Sequence, residues 1–164
     1  MRRPLRRLAM LGGATCVAAA ALVVAPSVAS AASVSGTCTA YKYQYEWWFS
    51  PVVPVGEVSA KVNLTLNYTR NANGTITVQS VSYSFTDAQA RTFVPGVTFN
   101  RNIGGSSNIN VKAPVTRSSP DSMGTAGTFN FADFTVAAGT QVRVEGIPDF
   151  PNADDPACSV YFRP

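Results

Sequence analysis

The chain has 164 residues, with 13 Lys and Arg, 9 Asp and Glu, and no histidine. The lack of histidine excludes Ser-His-Asp and Cys-His catalysis and removes the commonest zinc ligand. Four of the basic residues lie in the first seven positions, and taking four from 13 leaves nine basic against nine acidic residues. A net charge near zero argues against binding to nucleic acid or to an acidic surface.

The first 31 residues have the pattern of a secretory signal peptide. An arginine cluster is followed by an apolar run over residues 8–24 and by a small-x-small cleavage site at residues 29–31. We expect cleavage after Ala31, which makes residues 32–164 a secreted, extracellular domain without a membrane segment. A retained membrane anchor is less favoured, because the apolar run is short and closes with Pro26. The arginine cluster at the start of the signal peptide consists of Arg2, Arg3, Arg6 and Arg7.

Two cysteines, Cys38 and Cys158, remain after this cleavage. Outside the cell such a pair is expected to be oxidised. We expect a disulfide bond that joins the first predicted strand to the last. It closes a loop of about 120 residues, which is worth roughly 4 to 5 kcal/mol in loop-closure entropy. No thiol is then left to act as a nucleophile or a metal ligand.

The first predicted strand covers residues 37–49 and has an aromatic residue at every second position from Tyr41 to Phe49. If this aromatic face points outward, it forms a platform on which sugar rings stack; if it points inward, it belongs to the core. The opposite face carries polar residues, so we expect the aromatic face to be buried. Residues 32–36 are expected to form a loose arm before this strand. The polar residues on the strand face opposite the aromatic residues are Lys42, Gln44 and Glu46.

The end of this strand holds the candidate binding residues Trp47, Trp48 and Phe49. Trp48 lies on the polar face, and an exposed tryptophan among polar residues is a typical contact residue of an interface. The alternative is that the strand ends there and that both tryptophans fold over the edge of the core.

The next strand is the clearest, because apolar and polar residues alternate strictly over residues 58–69. Residues 71–74 end in Asn-Gly and predict a tight hairpin. The returning strand changes parity after Val78, which indicates a β-bulge near Gln79-Ser80.

Five further strands and one long loop follow from the same reasoning. Strands are predicted over residues 93–99 and 109–115, and the segment 116–127 is the longest predicted loop. The last third contains three strands, 128–136, 141–147 and 157–162, with a second bulge at residues 131–134. Residues 32–164 therefore predict an all-β chain, a single antiparallel β-sandwich of about seven or eight strands, either immunoglobulin-like or jelly-roll-like.

Two acidic features of the sequence are candidates for chemical sites. Glu46 and Glu145 are the acids in the most clearly predicted strands, but nothing in their spacing brings them together as a glycosidase pair. Residues 149–155 hold four oxygen-bearing side chains that could bind Ca²⁺, although Asp and Asn beside Pro are equally typical of a turn, which we favour. We therefore expect no catalytic residue, no metal site and no cofactor.

These observations favour a secreted, non-catalytic binding module that contacts another secreted or surface protein, as an adapter subunit or an inhibitor. The expected contact regions are an edge strand over residues 47–55 and the loop 116–127. The alternative is a carbohydrate or cell-wall binding module that uses Trp48 and neighbouring tyrosines as a platform. An enzyme that works with paired carboxylates is the least favoured hypothesis.

Overall fold

The computed structural model describes residues 29–45, 53–114, 116–120 and 122–164. These residues form eight β-strands and no helix, and in particular no helix that could cross a membrane. The strands are β1 (Ser30–Tyr45), β2 (Pro54–Arg70), β3 (Thr75–Thr92), β4 (Asn108–Lys112), β5 (Thr116–Ser118), β6 (Ala126–Ala137), β7 (Val142–Ile147) and β8 (Cys158–Phe162).

The strands form two sheets of four, in the orders β1-β2-β3-β6 and β5-β4-β7-β8. All neighbouring strands are antiparallel. Alternate residues of β2, β3, β4 and β7 point into one apolar core, as the period of two requires. The all-β class and the arrangement in two antiparallel sheets are therefore confirmed. The most deeply buried core residues include Val62, Leu64, Leu66, Val78, Val81, Ile109, Val111, Val142 and Val144.

The two sheets differ greatly in length. β2 and β3 have 17 and 18 residues, whereas β4 and β7 have five and six. At about 3.3 Å per residue, the strands of the long hairpin are roughly 35 Å longer than those of the short sheet. The part of β2 before Val62 extends beyond the core that the two sheets share. The inner face of this extension is covered by loops, because Val58 and Ala60 pack against the fully buried Phe150. The outer face of the same extension carries the candidate site described below.

The predicted hairpin and both predicted bulges are confirmed. Gly74 has a φ of 79°, and its N–H donates to the Asn71 carbonyl oxygen at 3.0 Å, which closes the turn between β2 and β3. Gln79 is skipped in the pairing of β3 with β2. The same irregularity shifts the register between β3 and β6, where residues 131–133 form the second bulge.

Several expected boundaries are wrong. Residues 32–36 belong to β1 rather than to a loose arm, because they pair with β2 from Ala32 opposite Tyr68 to Gly36 opposite Leu64. Glycine at position 36 also allows β8 to approach closely, since a Cβ there would lie 2.5 Å from Val160 Cγ1. Residues 93–99 form no strand, since the chain turns at Gly96 with a φ of 87°. The predicted loop 116–127 begins with the short strand β5 and ends inside β6.

The Cys38–Cys158 disulfide bond is confirmed. It joins β1 at an edge of the long sheet to β8 at an edge of the short one. The bond therefore closes one side of the space between the two sheets.

Candidate functional site

The tyrosines of β1 point outward, so the expectation that the aromatic face is buried is wrong for these three residues. Tyr41, Tyr43 and Tyr45 expose 43%, 44% and 56% of their surface. The opposite face points inward, with Ala40 and Gln44 buried. The reason is parity: Cys38 must face inward to reach Cys158, and residues at even spacing from Cys38 share its face.

Polar residues are tolerated on the inward face because they have partners at the end of the sheet. Gln44 Nε2 donates to the Asp154 carbonyl oxygen at 2.9 Å, and the Asp154 N–H donates to Gln44 Oε1 at 2.6 Å. Lys42 Nζ lies 3.3 Å from Asp154 Oδ2. Burying the Gln44 amide costs little free energy, because both of its polar atoms are hydrogen-bonded. This explains why polarity was a poor guide to the buried side of β1.

Four exposed rings form what we call the aromatic patch: Tyr41, Tyr43, Tyr45 and Phe93. Tyr43 is central, with ring centroids 5.0 Å from Tyr41, 6.5 Å from Tyr45 and 6.5 Å from Phe93. The ring planes are inclined to that of Tyr43 by 85°, 63° and 55° respectively. The patch is thus a set of tilted faces rather than one flat plane. Phe93, 48% exposed, was expected in a strand and was not recognised as a site residue.

One carboxylate anchors the polar rim of the aromatic patch. The Tyr41 hydroxyl donates to Glu57 Oε2 at 2.6 Å, and Arg91 Nη1 lies 3.5 Å from Glu57 Oε1. Desolvation and then the hydrogen bond to Glu57 raise the pKa of the Tyr41 hydroxyl above its ordinary value. The charge of Glu57 is therefore already matched within the protein.

A depression of about 350 Å³ adjoins the aromatic patch on the outer face of the long sheet. We call it the polar depression. Its side chains come from three neighbouring strands, and Ser59 of β2 lies directly opposite Tyr41 of β1. The polar side chains that line it are Thr37, Thr39, Ser59, Lys61, Asp87 and Gln89.

A third bulge, in β3, accompanies the polar depression. Ser59 pairs with Gln89 and Lys61 pairs with Thr86, so β3 has one residue more than β2 across this step. Asp87 has a φ of 52°, in the left-handed region that Asp visits more readily than most residues. Bulges of this kind redirect side chains and are enriched beside functional sites.

The hydrogen bonding of the outer face changes at the polar depression. Farther along the same face, polar side chains bind one another: Asn67 Nδ2 donates to Ser80 Oγ at 3.1 Å and to Ser82 Oγ at 3.2 Å. Asn63 Nδ2 likewise donates to Ser84 Oγ at 3.1 Å. By contrast, within the described residues the six polar side chains of the polar depression make no hydrogen bond or ion pair. Their donors and acceptors are free to bind a ligand.

The candidate binding residues Trp47, Trp48 and Phe49 lie outside the described residues, as does Glu46. Tyr45, the last residue of β1, directly precedes this segment in the chain. The three tyrosines that precede this segment lie on the exposed face of β1.

The acidic residues Glu145, Asp149 and Asp155 have structural partners. Glu145 receives Arg143 Nη2 at 2.7 Å and Lys112 Nζ at 3.2 Å. Asp149 Oδ2 accepts the Ser106 N–H at 3.1 Å and Asp155 Oδ1 accepts the Phe150 N–H at 2.8 Å, as turn carboxylates do. Burial raises the pKa of Asp155, and the bond from Phe150 opposes that rise. Among the described residues, no group of three or more His, Cys, Asp or Glu could hold a metal ion.

Comparison with protein-family models, with curated proteins and with solved structures finds no match to this chain.

Proposed function

We propose that this chain is an exported, non-catalytic binding module that holds a carbohydrate chain on the outer face of its long sheet. The observation that carries the proposal is the outward orientation of Tyr41, Tyr43 and Tyr45, which leaves half-exposed rings beside free polar side chains. Small-ligand sites combine aromatic walls with a few placed polar groups in this way.

The chemistry of a sugar ring fits exposed tyrosines. One face of a pyranose presents C–H groups, which carry a slight positive charge and are attracted to the negative face of an aromatic ring. Because the ring planes around Tyr43 are inclined by 55° to 85°, successive sugars would meet faces of different direction. This favours a single flexible glycan chain over the flat surface of a crystalline polysaccharide.

The absence of catalysis is part of the proposal. The chain has no histidine, and Glu57 and Glu145 are each bound by basic side chains. In the contacts described above, neither carboxylate is paired with a second acid at the separation that glycoside hydrolysis requires. Binding without turnover is the function that these contacts support.

Export is also proposed, with removal of residues 1–31. The Cys38–Cys158 disulfide bond is compatible with an oxidising compartment. Cleavage after Ala31 would leave β1 paired with β2 from Ala32 opposite Tyr68 onward. Mass spectrometry of the protein from a culture supernatant tests this: we expect a mass that begins at Ala32, and a mass that retains residues 1–31 would contradict it.

The finer fold class that we propose is immunoglobulin-like. The order β5-β4-β7-β8 corresponds to strands C′, C, F and G of that fold, and the β3–β6 pair corresponds to B and E. This correspondence supports the immunoglobulin-like alternative over the jelly roll. In such folds binding surfaces vary while the sandwich is kept.

Affinity electrophoresis tests the proposed function directly. The mature protein would be run through native gels that contain soluble glucan, mannan, xylan or galactan. We expect at least one of these to retard the wild type, and Tyr43→Ala to lose the retardation. Tyr161→Ala is the matched control, because Tyr161 is 56% exposed but lies on β8 in the other sheet. Equal retardation of both variants would overturn the role of the aromatic patch.

The second candidate is contact with another secreted or surface protein, as an adapter or inhibitor. It is favoured by β1, a 16-residue strand at the edge of the long sheet. Such an edge can pair with a strand of a partner. Affinity purification from the native supernatant should then yield a stoichiometric companion that slows amide hydrogen exchange in β1. The other edge, β6, is the internal control, and equal protection of both edges would argue against strand pairing.

A further inference from the structure

We propose that the polar depression is a subsite for one neutral sugar residue, and that Lys61 and Asp87 select this residue. This inference rests on the proposed function, and it adds the ligand class and the residues that recognise it. The aromatic patch would hold the neighbouring residue of the same glycan chain.

Position is the first reason. Tyr41 pairs with Ser59, and the next residue on the same face of β1, Thr39, pairs with Lys61. Side chains directly opposite each other on neighbouring strands have Cβ atoms about 5 Å apart. The polar depression therefore begins within one sugar ring of Tyr41. A glycan that stacks on the aromatic patch and ends or begins at Tyr41 can therefore place its next residue over Ser59 and Lys61.

Unsatisfied hydrogen-bonding capacity is the second reason. The outer face beyond Lys61 is closed by side-chain pairs, such as the Ser35 and Thr65 hydroxyls at 2.8 Å. The polar depression offers hydroxyl groups, an amide, an ammonium and a carboxylate that make no such pair in the described chain. Sugar hydroxyls both donate and accept, so they match this mixed set. Its volume of about 350 Å³ falls within the range of small-ligand sites.

Charge is the third reason, and it sets the ligand class. Lys61 and Asp87 contribute one positive and one negative charge, and the carboxylate of Glu57 nearby is already bound by Arg91. An acidic sugar would gain from Lys61 but would meet the unpaired carboxylate of Asp87. The hydroxyl groups of a neutral sugar can accept a hydrogen bond from Lys61 and donate one to Asp87 without charge repulsion. The left-handed backbone of Asp87, with a φ of 52°, is the local irregularity that places this carboxylate at the bulge.

The test uses the mature protein with soluble neutral polysaccharides (glucan, mannan, xylan, galactan) and with polygalacturonate as the acidic probe. We expect binding to a neutral polymer, with dissociation constants raised about ten- to a hundredfold by Lys61→Met and by Asp87→Asn, as loss of a charged hydrogen-bond partner implies. Asn130→Ala is the matched control, because Asn130 is exposed on β6 of the same sheet, away from the polar depression.

Thermal midpoints separate loss of binding from loss of folding. Lys61 and Asp87 make no hydrogen bond or ion pair within the described chain, and Asn accepts a left-handed backbone as readily as Asp, so both variants should unfold within a few degrees of the wild type.

Each failure has its own signature. If Tyr43→Ala abolishes binding while Lys61→Met and Asp87→Asn bind like the wild type, the subsite is overturned and the proposed function stands. Stronger binding of polygalacturonate than of every neutral polymer overturns the neutral ligand class. If the wild type binds none of the polymers, the subsite and the proposed function are both overturned.

Discussion

Gln44 and the backbone of Asp154 form a reciprocal pair, in which the amide donates to the carbonyl oxygen at 2.9 Å and accepts the N–H at 2.6 Å. This pair joins β1 to the loop that follows β7. Because of this pair, the inward face of β1 holds a polar residue whose hydrogen-bonding groups are all satisfied. The loop in turn carries Phe150, which covers the inner face of the long sheet.

The first prediction concerns this pair. Gln44→Leu leaves the Asp154 N–H and carbonyl without their partner and should lower the free energy of unfolding by about 1 to 3 kcal/mol. Urea denaturation monitored by fluorescence measures the change. Lys42→Ala is the control, because its exposed ion pair with Asp154 should contribute less than about 1 kcal/mol. A smaller effect for Gln44→Leu than for Lys42→Ala would contradict the assignment.

The second prediction concerns the disulfide bond. Replacing Cys38 and Cys158 together by serine should lower the free energy of unfolding by roughly 4 kcal/mol, because the bond constrains about 120 residues of the unfolded chain. Denaturation with and without dithiothreitol provides the comparison. The reductant should destabilise the wild type and leave the double variant unchanged. A wild type that is indifferent to reduction would show that the bond contributes little.

The third prediction concerns packing between the sheets. A Cβ added to Gly146 of β7 would lie 2.5 Å from Val62 Cγ1 and 3.2 Å from Phe85 Cε1. Gly146→Ala should therefore cost about 1 to 3 kcal/mol of stability through overpacking. Gly105→Ala is the matched control, since nothing lies within 4 Å of a Cβ there, and it should change stability by less than about 0.5 kcal/mol. Equal midpoints for the two variants would disprove the close approach of the sheets.

The fourth prediction concerns pH. The pKa of Tyr41 is raised above the ordinary 10.0 by desolvation and by its bond to Glu57, so the folded protein keeps this proton when the unfolded chain loses it. The contribution of Tyr41 to stability should be complete below about pH 10 and decline as the pH rises toward the raised pKa. Stability above pH 10 should fall more steeply in the wild type than in Tyr41→Phe. Ultraviolet difference titration of the two proteins gives the pKa itself, and a value near 10 would refute the prediction.

Much of the long sheet could be predicted because one face of each strand packs on the core. The alternation over residues 58–69 and the parity change at Gln79 follow from that single constraint. The same reasoning wrongly predicted a strand over residues 93–99. Phe99 lies over Gly56 and packs beside the cluster around Phe150, and a phenylalanine in a covering loop has the same composition as one in a strand.

The orientation of β1 could have been predicted, although the polarity of its residues pointed the other way. Cys38 and Tyr41 have opposite parity, so a disulfide bond that faces inward requires tyrosines that face outward. Polarity indicated the wrong side because Gln44 is polar and yet buried, with a backbone partner 110 residues away in the chain. The polar depression has no comparable signal, because the left-handed Asp87 depends on pairing between β2 and β3.

The disulfide bond also determines how the protein would carry mechanical load. Tension applied between a point before Cys38 and a point after Cys158 passes through the covalent bond, since these residues join the first strand to the last. The chain between the two cysteines is shielded from this tension, whereas the pairing of residues 30–37 with β2 and of residues 159–162 with β7 stays on the loaded path. Under shear these two terminal segments would detach first, and the part closed by the bond, which includes Tyr41, Tyr43 and Lys61, would bear no direct load.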